Sequence, residues 1–338
     1  MTEKKVVLCY PVSDSDITRI EAAFPEYSVL VSGQDNIADD LLEADVFCGH
    51  VKVPVDWEAV VQQNRLRWIQ SSAAGLDHCL VPEVINSEIL VSGCSALFAN
   101  QVAEHTLAIL LGAIRRVPAF VEAQQKRVFE RLPTDDLHGK TVAIVGFGGN
   151  GRRIAELLNG LVDKIQVSDQ FPEFDIPDYV NAYSPDQVDV LLEQADVLIV
   201  TLPLTSSTQE YLSEHHFSKL KHGAYFINVA RGSVVDQEAL VRSIEDGRIQ
   251  FAALDVVEPE PLPADNKLWS FENVLITPHV GAQSALRISS TTELFCLNSL
   301  RFASGDVLIN AVDKELQYPR PENRLTVDKY GQIQLPST

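Results

Sequence analysis

Basic residues, long apolar runs and paired cysteine motifs are all scarce in this sequence. The chain carries 27 Lys and Arg against 47 Asp and Glu, which gives a net charge of −20. Such a charge repels phosphate backbones and anionic lipid headgroups, so we expect no nucleic acid and no membrane surface among its partners. An anionic small molecule would have to be held by a few cations placed where it binds.

The apolar segments are too short to cross a membrane. A membrane-spanning helix needs about 20 apolar residues, whereas the most apolar helical stretch, Leu107–Ile114, is flanked by His105 and Arg115. The first residues, Met1–Lys5, lead straight into a strand-like run. We therefore predict neither a transmembrane segment nor a signal peptide.

The cysteines are scattered, odd in number and without a C-x-x-C pair. They are Cys9, Cys48, Cys79, Cys94 and Cys296. This usage is typical of reduced thiols and indicates a cytoplasmic protein rather than a disulfide scaffold.

The length and the order of the apolar runs predict two α/β units. At 338 residues, with 46% apolar and 22% charged residues, the chain has room for two ordinary globular domains. Strand-like runs alternate with helical patterns, which predicts parallel sheets covered by helices on both faces. The predicted strands are Val6–Tyr10, Ser28–Ser32, Val46–His50, Arg67–Ser72 and Ile89–Gly93 in the first half, and Thr141–Val145, Lys164–Ser168, Val197–Thr201, Ala224–Val229, Phe251–Asp255 and Val274–Thr277 in the second.

Helical patterns separate the two series of strands and close the chain. One helix is predicted from about Asn100 to Arg116, and a second reaches about Arg131. A last helix, Ser284–Phe302, precedes a polar tail after Ala311 that lacks strong periodicity. We expect this tail to be either an arm laid on a surface or partly disordered.

A glycine-rich turn follows the apolar run that begins at Thr141. The pattern G-x-G-x-x-G stands between a buried strand and an amphipathic helix, and this context makes it a dinucleotide-binding turn. Its glycines allow a tight turn, a close approach of pyrophosphate to the backbone, and close packing of the helix, whose N-terminus attracts phosphate. The predicted cofactor-binding loop residues are Gly146, Gly148, Gly149, Asn150 and Gly151.

Asp169 ends the next predicted strand, 18 residues after Gly151. A carboxylate near this spacing binds the adenine ribose hydroxyls and repels a 2′-phosphate. No Arg or Lys lies between Gln170 and Tyr179 to bind such a phosphate. The sequence therefore predicts NAD, rather than NADP, as the cofactor.

Polar residues suited to catalysis follow the later strands. Arg231 offers a guanidinium fork that suits a carboxylate, and His279 can exchange a proton near neutral pH. Either Glu258 or Glu260 could pair with that histidine. An anion-binding arginine, a proton donor and a dinucleotide site together suggest hydride transfer to a carbonyl compound that bears a carboxylate.

Several segments together resemble the D-isomer-specific 2-hydroxyacid dehydrogenases. They are Gly139–Gly151, Asn228–Gly232, Leu254–Pro263, Thr277–Gly281, Ser71–His78 and Asn100–Glu104. The resemblance implies a flavodoxin-like substrate domain, residues 1–103 plus 282–338, and a Rossmann NAD-binding domain, residues 104–281, with a cleft between them. It also implies a homodimer packed through the nucleotide domain.

The resemblance assigns roles to individual residues. Arg231 matches the arginine that binds the substrate carboxylate and carbonyl, His279 the general acid/base, and Glu260 the partner of that histidine. The loop containing Ala74 and Gly75 matches the backbone that holds the carboxylate. The implied cofactor contacts further along the chain are Val102, Thr201, Pro203, Ala230 and Asp255.

The substrate within the family is a 2-keto or D-2-hydroxy acid, with glyoxylate, hydroxypyruvate and 3-phosphoglycerate as candidates. Relatives that handle 3-phosphoglycerate commonly carry arginines after the third strand. Here that stretch is Gly49–Lys52, which argues against phosphate recognition and leaves Lys52 as the candidate substrate contact there.

Two other functions have weaker support in the sequence. An NAD(H)-sensing, corepressor-like binding protein would use the same fold, but the sequence shows no recognisable partner-binding motif. A metal site would rest on His215, His216 and His222, whose spacing does not place three ligands on one helical face, so we predict no metal.

Overall fold

The computed structural model describes residues 3–335, which form two compact units. One unit holds the residues up to Phe98 together with those from Ser284 onward, and the other is Ala99–Gln283. Each contains a parallel sheet flanked by helices, so the predicted pair of doubly wound α/β units is confirmed.

The helices and strands alternate along most of the chain. The helices are α1 Asp14–Ala23, α2 Ile37–Asp40, α3 Trp57–Gln62, α4 Pro82–Ile85, α5 Ala99–Ile114, α6 Val117–Gln125, α7 Gly149–Leu158, α8 Val188–Leu192, α9 Glu214–Lys219, α10 Gln237–Glu245 and α11 Arg287–Ser304. The strands are β1 Lys4–Cys9, β2 Tyr27–Val31, β3 Val46–Gly49, β4 Trp68–Ser71, β5 Leu90–Ser92, β6 Thr141–Val145, β7 Lys164–Ser168, β8 Val180–Tyr183, β9 Val197–Val200, β10 Ala224–Asn228, β11 Ile249–Leu254, β12 Val274–Ile276, β13 Val312–Asp313, β14 Tyr318–Pro319, β15 Thr326–Val327 and β16 Ile333–Gln334.

The first unit has a five-stranded sheet in the order β2-β1-β3-β4-β5. All four strand pairs are parallel, and this order is that of a flavodoxin-like sheet. α1 begins with a capping box, because the Ser13 side chain accepts from the backbone N–H of Asp16 while the Asp16 carboxylate accepts from the N–H of Ser13. Capping of this kind satisfies N–H groups that the first turn of a helix leaves unbonded.

The second unit has a seven-stranded parallel sheet in the order β12-β11-β10-β9-β6-β7-β8. The chain reverses direction across the sheet between β6 and β9, as in a Rossmann fold, and ligands bind beyond the strand ends at such a point. The residues of β6 alternate between two cores. Val142 and Ile144 pack with apolar residues of α5 and α7, whereas Ala143 and Val145 pack with those of α8 and α10.

The larger differences from the sequence prediction are the end of the second helix and the presence of β8. The second helix ends at Gln125 rather than near Arg131, because Arg127 adopts a left-handed φ of +57° and the N–H of Val128 reaches back to the carbonyl of Ala123. β8 was not predicted, since this short edge strand buries only Val180.

The tail after Ala311 folds into two short antiparallel hairpins, β13–β14 and β15–β16. Lys314 Nζ donates to the carbonyl oxygens of Val84 and Ser87 at 2.8 and 2.5 Å, which ties the first hairpin to the end of α4. Of the two alternatives, the surface arm is therefore correct for residues 312–335. The last three residues of the tail lie outside the described range.

None of the helices within residues 3–335 has the length and apolar character needed to cross a membrane. The five cysteines, all in this range, are free thiols.

Candidate active site

The glycine-rich turn joins β6 to α7 and leaves no room for side chains at two positions. Gly146 has a φ of +98°, and a Cβ there would lie 2.9 Å from the backbone nitrogen of Leu202. A Cβ at Gly151 would lie 2.3 Å from the carbonyl oxygen of Gly146. The same oxygen accepts a 2.6 Å hydrogen bond from Thr201 Oγ1, which joins the turn to the end of β9. The turn is thus built at the point where the strand order reverses.

The first turn of α7 provides the anion-binding part of this cradle. Gly148 is the residue that precedes the helix, and Gly149, Asn150 and Gly151 are its first three residues. The first N–H groups of a helix have no partner within it, and they carry the positive end of the helix dipole. A bare backbone at this point fits the pyrophosphate of a dinucleotide.

Asp169 directly follows β7 and faces the glycine-rich turn. Its Oδ2 accepts from the N–H of Phe147 at 2.6 Å, and its Oδ1 accepts from the N–H of Phe171 at 3.0 Å. The carboxylate is therefore held at the carboxyl edge of the sheet, beside the strand that leads into the turn. This is the location of the ribose-binding acid in a Rossmann fold.

Arg152 is a cation near this acid that was not predicted, because it precedes Asp169 in the sequence by 17 residues and lies on α7. Its guanidinium lies over the Phe147 ring, 4.8 Å from the centroid. It donates to the carbonyl oxygens of Phe174 and Asp175 at 2.5 and 2.6 Å. Burial lowers the pKa of Arg152, against the opposing charges of Asp175 and Asp169. The guanidinium of Arg152 therefore holds the loop that follows β7.

Arg231 stands in a tight turn after β10, and the buried side chain of Asn228 builds that turn. Asn228 Oδ1 accepts from the N–H of Ala230 at 3.0 Å, and its Nδ2 donates to the carbonyl of Arg231 at 3.1 Å. Arg231 Nη1 donates to the carbonyl of Ala230 at 2.7 Å. A short 3-10 turn, Gly232–Val234, follows immediately.

Gly232 packs this turn directly against the chain that follows β11. A Cβ at Gly232 would lie 2.0 Å from the carbonyl oxygen of Val257 and 2.7 Å from the backbone nitrogen of Glu258. Next to it, Ser233 Oγ donates to the Glu258 carboxylate. The carboxylate of Glu258 is thus bound by the turn that carries Arg231.

Glu260 is the acid that pairs with His279. Its Oε2 lies 2.9 Å from Nδ1 of the histidine, and its Oε1 accepts from the N–H of Val257 at 3.2 Å. Burial works to raise the pKa of Glu260. The hydrogen bond and charge of His279, the N–H of Val257 and the charge of Arg231 outweigh it, so the pKa of Glu260 lies below its ordinary value.

Asp255 follows β11 and is a buried carboxylate with several donors. Burial alone would raise its pKa, but hydrogen bonds from His105, Thr277 and the N–H groups of Val280 and Gly281 lower the pKa of Asp255 to about 2. It therefore stays ionised. His105 and Thr277 were not predicted as site residues.

The remaining predicted cofactor contacts lie after two strands and in one helix of the second unit. Thr201 and the exposed Pro203 follow β9, Ala230 lies in the Arg231 turn, and Val102 is buried in the first turns of α5.

In the first unit, Lys52 is exposed beyond β3, and its N–H donates to Gln34 Oε1 at 2.8 Å. Ala74 and Gly75 lie in the loop after β4, where Ser71 Oγ accepts from the N–H of Ala73 at 3.1 Å. Ser71 Oγ also lies 2.9 Å from His78 Nε2, a contact that the sequence analysis did not predict.

The histidines considered as metal ligands have other contacts. His215 Nε2 lies 2.9 Å from Asp189 Oδ2, and the His216 ring stacks on Tyr211 with centroids 5.1 Å apart. In the part of the chain that the structure describes, no group of three or more His, Cys, Asp or Glu side chains could hold a metal ion.

A Rossmann unit with this glycine cradle and an Arg, Glu and His at neighbouring strand ends defines a nicotinamide-dinucleotide-dependent dehydrogenase. The family model described as D-isomer specific 2-hydroxyacid dehydrogenase, NAD binding domain, matches residues 107–281. A glyoxylate reductase of Thermofilum pendens is 32% identical over 79% of this chain and 80% of its own. The chain belongs to the D-isomer specific 2-hydroxyacid dehydrogenase family, which confirms the resemblance seen in the sequence.

Two further relatives bear on cofactor and substrate. A D-3-phosphoglycerate dehydrogenase of Archaeoglobus fulgidus is 27% identical over 91% of this chain, which spans 59% of the length of that relative. The crystal structure of a D-isomer specific 2-hydroxyacid dehydrogenase from Xanthobacter autotrophicus Py2, in complex with NADPH and MES, has a TM-score of 0.78 and 25% identity, and the match covers 93% of this chain and 99% of that one. The enzyme is thus an NAD(P)-dependent 2-hydroxyacid dehydrogenase.

Proposed function

We propose that this enzyme transfers a hydride between bound NAD(H) and C2 of a small 2-keto or D-2-hydroxy acid, with His279 as the general acid and base. The observation that carries this proposal is the order of three neighbouring strand ends. Arg231 follows β10, Glu260 lies in the loop after β11, and His279 follows β12. The chain thus offers an anion-binding fork and a paired imidazole at the edge of the sheet that bears the dinucleotide turn.

The two ring nitrogens of His279 have different roles in this proposal. Nδ1–H donates to Glu260, which fixes the orientation of the ring. Nε2 is then the nitrogen that gives a proton to the substrate oxygen in reduction and takes it back in oxidation. Arg231 binds the substrate carboxylate and polarises the C2 carbonyl. In the first unit, the family resemblance assigns substrate binding to the backbone of the loop with Ala74 and Gly75 and to Lys52, and these assignments remain part of the proposal.

The preferred cofactor is NAD(H). Asp169 would repel the 2′-phosphate of NADP, and Arg152 of α7 is engaged with the carbonyl oxygens of Phe174 and Asp175. The Gly146–Gly151 cradle and the start of α7 would hold the pyrophosphate, and Asp169 would hold the adenine ribose.

The test is consumption of NADH, followed by absorbance, against a panel of 2-keto acids that includes glyoxylate and hydroxypyruvate, with NADPH run in parallel. Arg231→Ala and His279→Gln should each lower kcat/KM by about 100-fold or more, because each removes a group that acts on the transition state. Arg301→Ala, in the last turn of α11, where the guanidinium donates to the carbonyl of Val307, is the control arginine and should leave turnover unchanged. Full turnover by Arg231→Ala on every accepted acid would contradict the assignment.

We also propose that the enzyme is a cytoplasmic homodimer. α6 and the segment after it expose apolar side chains, among them Val117, Val121, Val128 and the fully exposed ring of Phe129. Such a surface is suited to a protein partner, and a second copy is the partner that the family resemblance implies. Phe129→Asp should therefore shift the mass measured by light scattering towards the monomer, whereas Leu300→Asp, an exposed apolar residue on α11, should not. A wild-type monomer would contradict this proposal.

A further inference from the structure

His105 on α5 contacts the turn that carries His279, although the two lie in distant parts of the sequence. Its Nε2 lies 3.0 Å from Thr277 Oγ1 and 3.2 Å from Asp255 Oδ1. Thr277 Oγ1 donates to the same Asp255 oxygen at 2.6 Å. Because the hydroxyl hydrogen points to the carboxylate, the Thr277 oxygen can only accept, so His105 Nε2 carries a hydrogen and donates.

The Asp255 carboxylate connects this histidine to the backbone around His279. Its Oδ1 accepts from the N–H of Val280 at 3.0 Å, and its Oδ2 accepts from the N–H of Gly281 at 2.9 Å. The N–H of His279 itself donates to the Asp255 carbonyl oxygen at 2.8 Å. One residue therefore holds three consecutive N–H groups of the turn.

The backbone of His279 needs such support. Its φ of +53° lies in the left-handed region, which a residue with a Cβ adopts only at a cost. Conformations of this kind persist where the surroundings impose them. The packing is also close, because a Cβ at Gly281 would lie 2.9 Å from Asp255 Oδ2 and 3.4 Å from His105 Cδ2. A carboxylate that lost one donor could turn towards another partner and let the turn relax.

We propose that His105 is a positioning residue for proton transfer: through Asp255 and Thr277 it holds the turn in which the imidazole of His279 is correctly placed. This inference rests on the proposed role of His279. His105 acts through its contacts with Thr277 and Asp255, and its contribution is the fixed orientation of the Asp255 carboxylate.

The test compares His105→Leu, which removes the donor, with His105→Gln, whose amide N–H can reach the same carboxylate. We expect the Leu variant to lower kcat by about 10- to 100-fold, since a displacement of about 1 Å at a reacting group has effects of this size. KM for the keto acid should change much less, because Arg231 is not disturbed. The Gln variant should recover most of kcat. His216→Leu, which removes a half-buried histidine packed on Tyr211, is the control for general loss of stability.

A second variant, at Thr277, tests the same proposal if His105→Leu does not fold. Thr277→Val removes the hydroxyl with little change of shape, and it should show the same kcat defect. In combination with His105→Gln it should also abolish the recovery, because both residues act on one carboxylate. Wild-type kcat in His105→Leu or in Thr277→Val, or equal losses in the Leu and Gln variants, would overturn the proposal. Absence of keto acid turnover by the wild-type enzyme would instead contradict the proposed function.

Discussion

The contact at Gly232 leads to a sharp prediction about the active site. A methyl group at this position would lie 2.0 Å from the Val257 carbonyl oxygen, and real Cβ atoms do not approach within 3.0 Å of such an atom. The Arg231 turn and the chain after β11 must therefore separate by at least about 1 Å in Gly232→Ala, the difference between these two distances. Both partners are backbone, so no side-chain rotation can relieve the contact.

This separation should be visible as lost catalysis. It moves Arg231 relative to Glu260, and a displacement of about 1 Å at a reacting site can cost about 100-fold in rate. We therefore expect kcat/KM of Gly232→Ala to fall by about 100-fold, together with a loss of about 1 to 3 kcal/mol in stability, the usual cost of overpacking. Steady-state kinetics with the preferred keto acid and the thermal midpoint measure the two effects.

The control is Gly112→Ala, in the interior of α5. A Cβ there meets no heavy atom within 4 Å, and alanine favours a helix over glycine by about 0.5 to 1 kcal/mol. This variant should be slightly more stable than the wild type and equally active. Wild-type kcat/KM in Gly232→Ala would refute the reasoning, because it would mean that the Arg231 turn can move without consequence.

Two further predictions concern the acids of the Rossmann unit. Asp169→Ser should lower the NADH to NADPH ratio of kcat/KM by about 10-fold or more, since a charge repelling the 2′-phosphate is removed; an unchanged ratio would contradict the cofactor assignment. Asp255→Asn should lower the free energy of unfolding by about 2 kcal/mol near pH 7, which follows from a pKa of about 2 in the fold against 3.8 ordinarily. Because the folded pKa is depressed, this stability is present above about pH 4 and is lost as pH falls towards about 2. Urea unfolding at several pH values should show the two proteins converging in acid, and a constant difference would count against the prediction.

The parts of the fold that were predictable from the sequence are those whose neighbouring residues form a clear pattern, such as an apolar run followed by glycines. Strands such as Thr141–Val145, buried on both faces, appear as continuous apolar runs, and the glycines that follow are required by backbone contacts. β8 carries one buried residue, so its sequence gives almost no strand signal. In the segment after α6, Val128 and Phe129 continue an apolar pattern although both are exposed. Pattern alone cannot distinguish an apolar surface from an apolar core.

The residues of the candidate site also divide into those that could be predicted from the sequence and those that could not. The positions of Arg231 and His279 beyond the ends of β10 and β12 were predictable because each follows an apolar run and parallel strands end at one edge. His105 was not, because its contact with Thr277 joins residues 172 positions apart in the sequence. The available signal was one histidine among several polar residues in the first half of α5, which is equally typical of a histidine with no role. Only the fold shows which distant carboxylate it meets.

The order of β10, β11 and β12 has a consequence for how this enzyme can evolve. The distances among the strand ends are set by the hydrogen-bonded spacing of neighbouring strands, about 4.8 Å per step, and not by the length of the connections at the far edge. The turn at Gly247, where an added Cβ meets open space, precedes β11 and lies about 20 Å from the chemistry along a six-residue strand. We therefore expect insertions and deletions at that edge to preserve turnover, so that the chain can vary in length and gain new surfaces there without any change at the catalytic end.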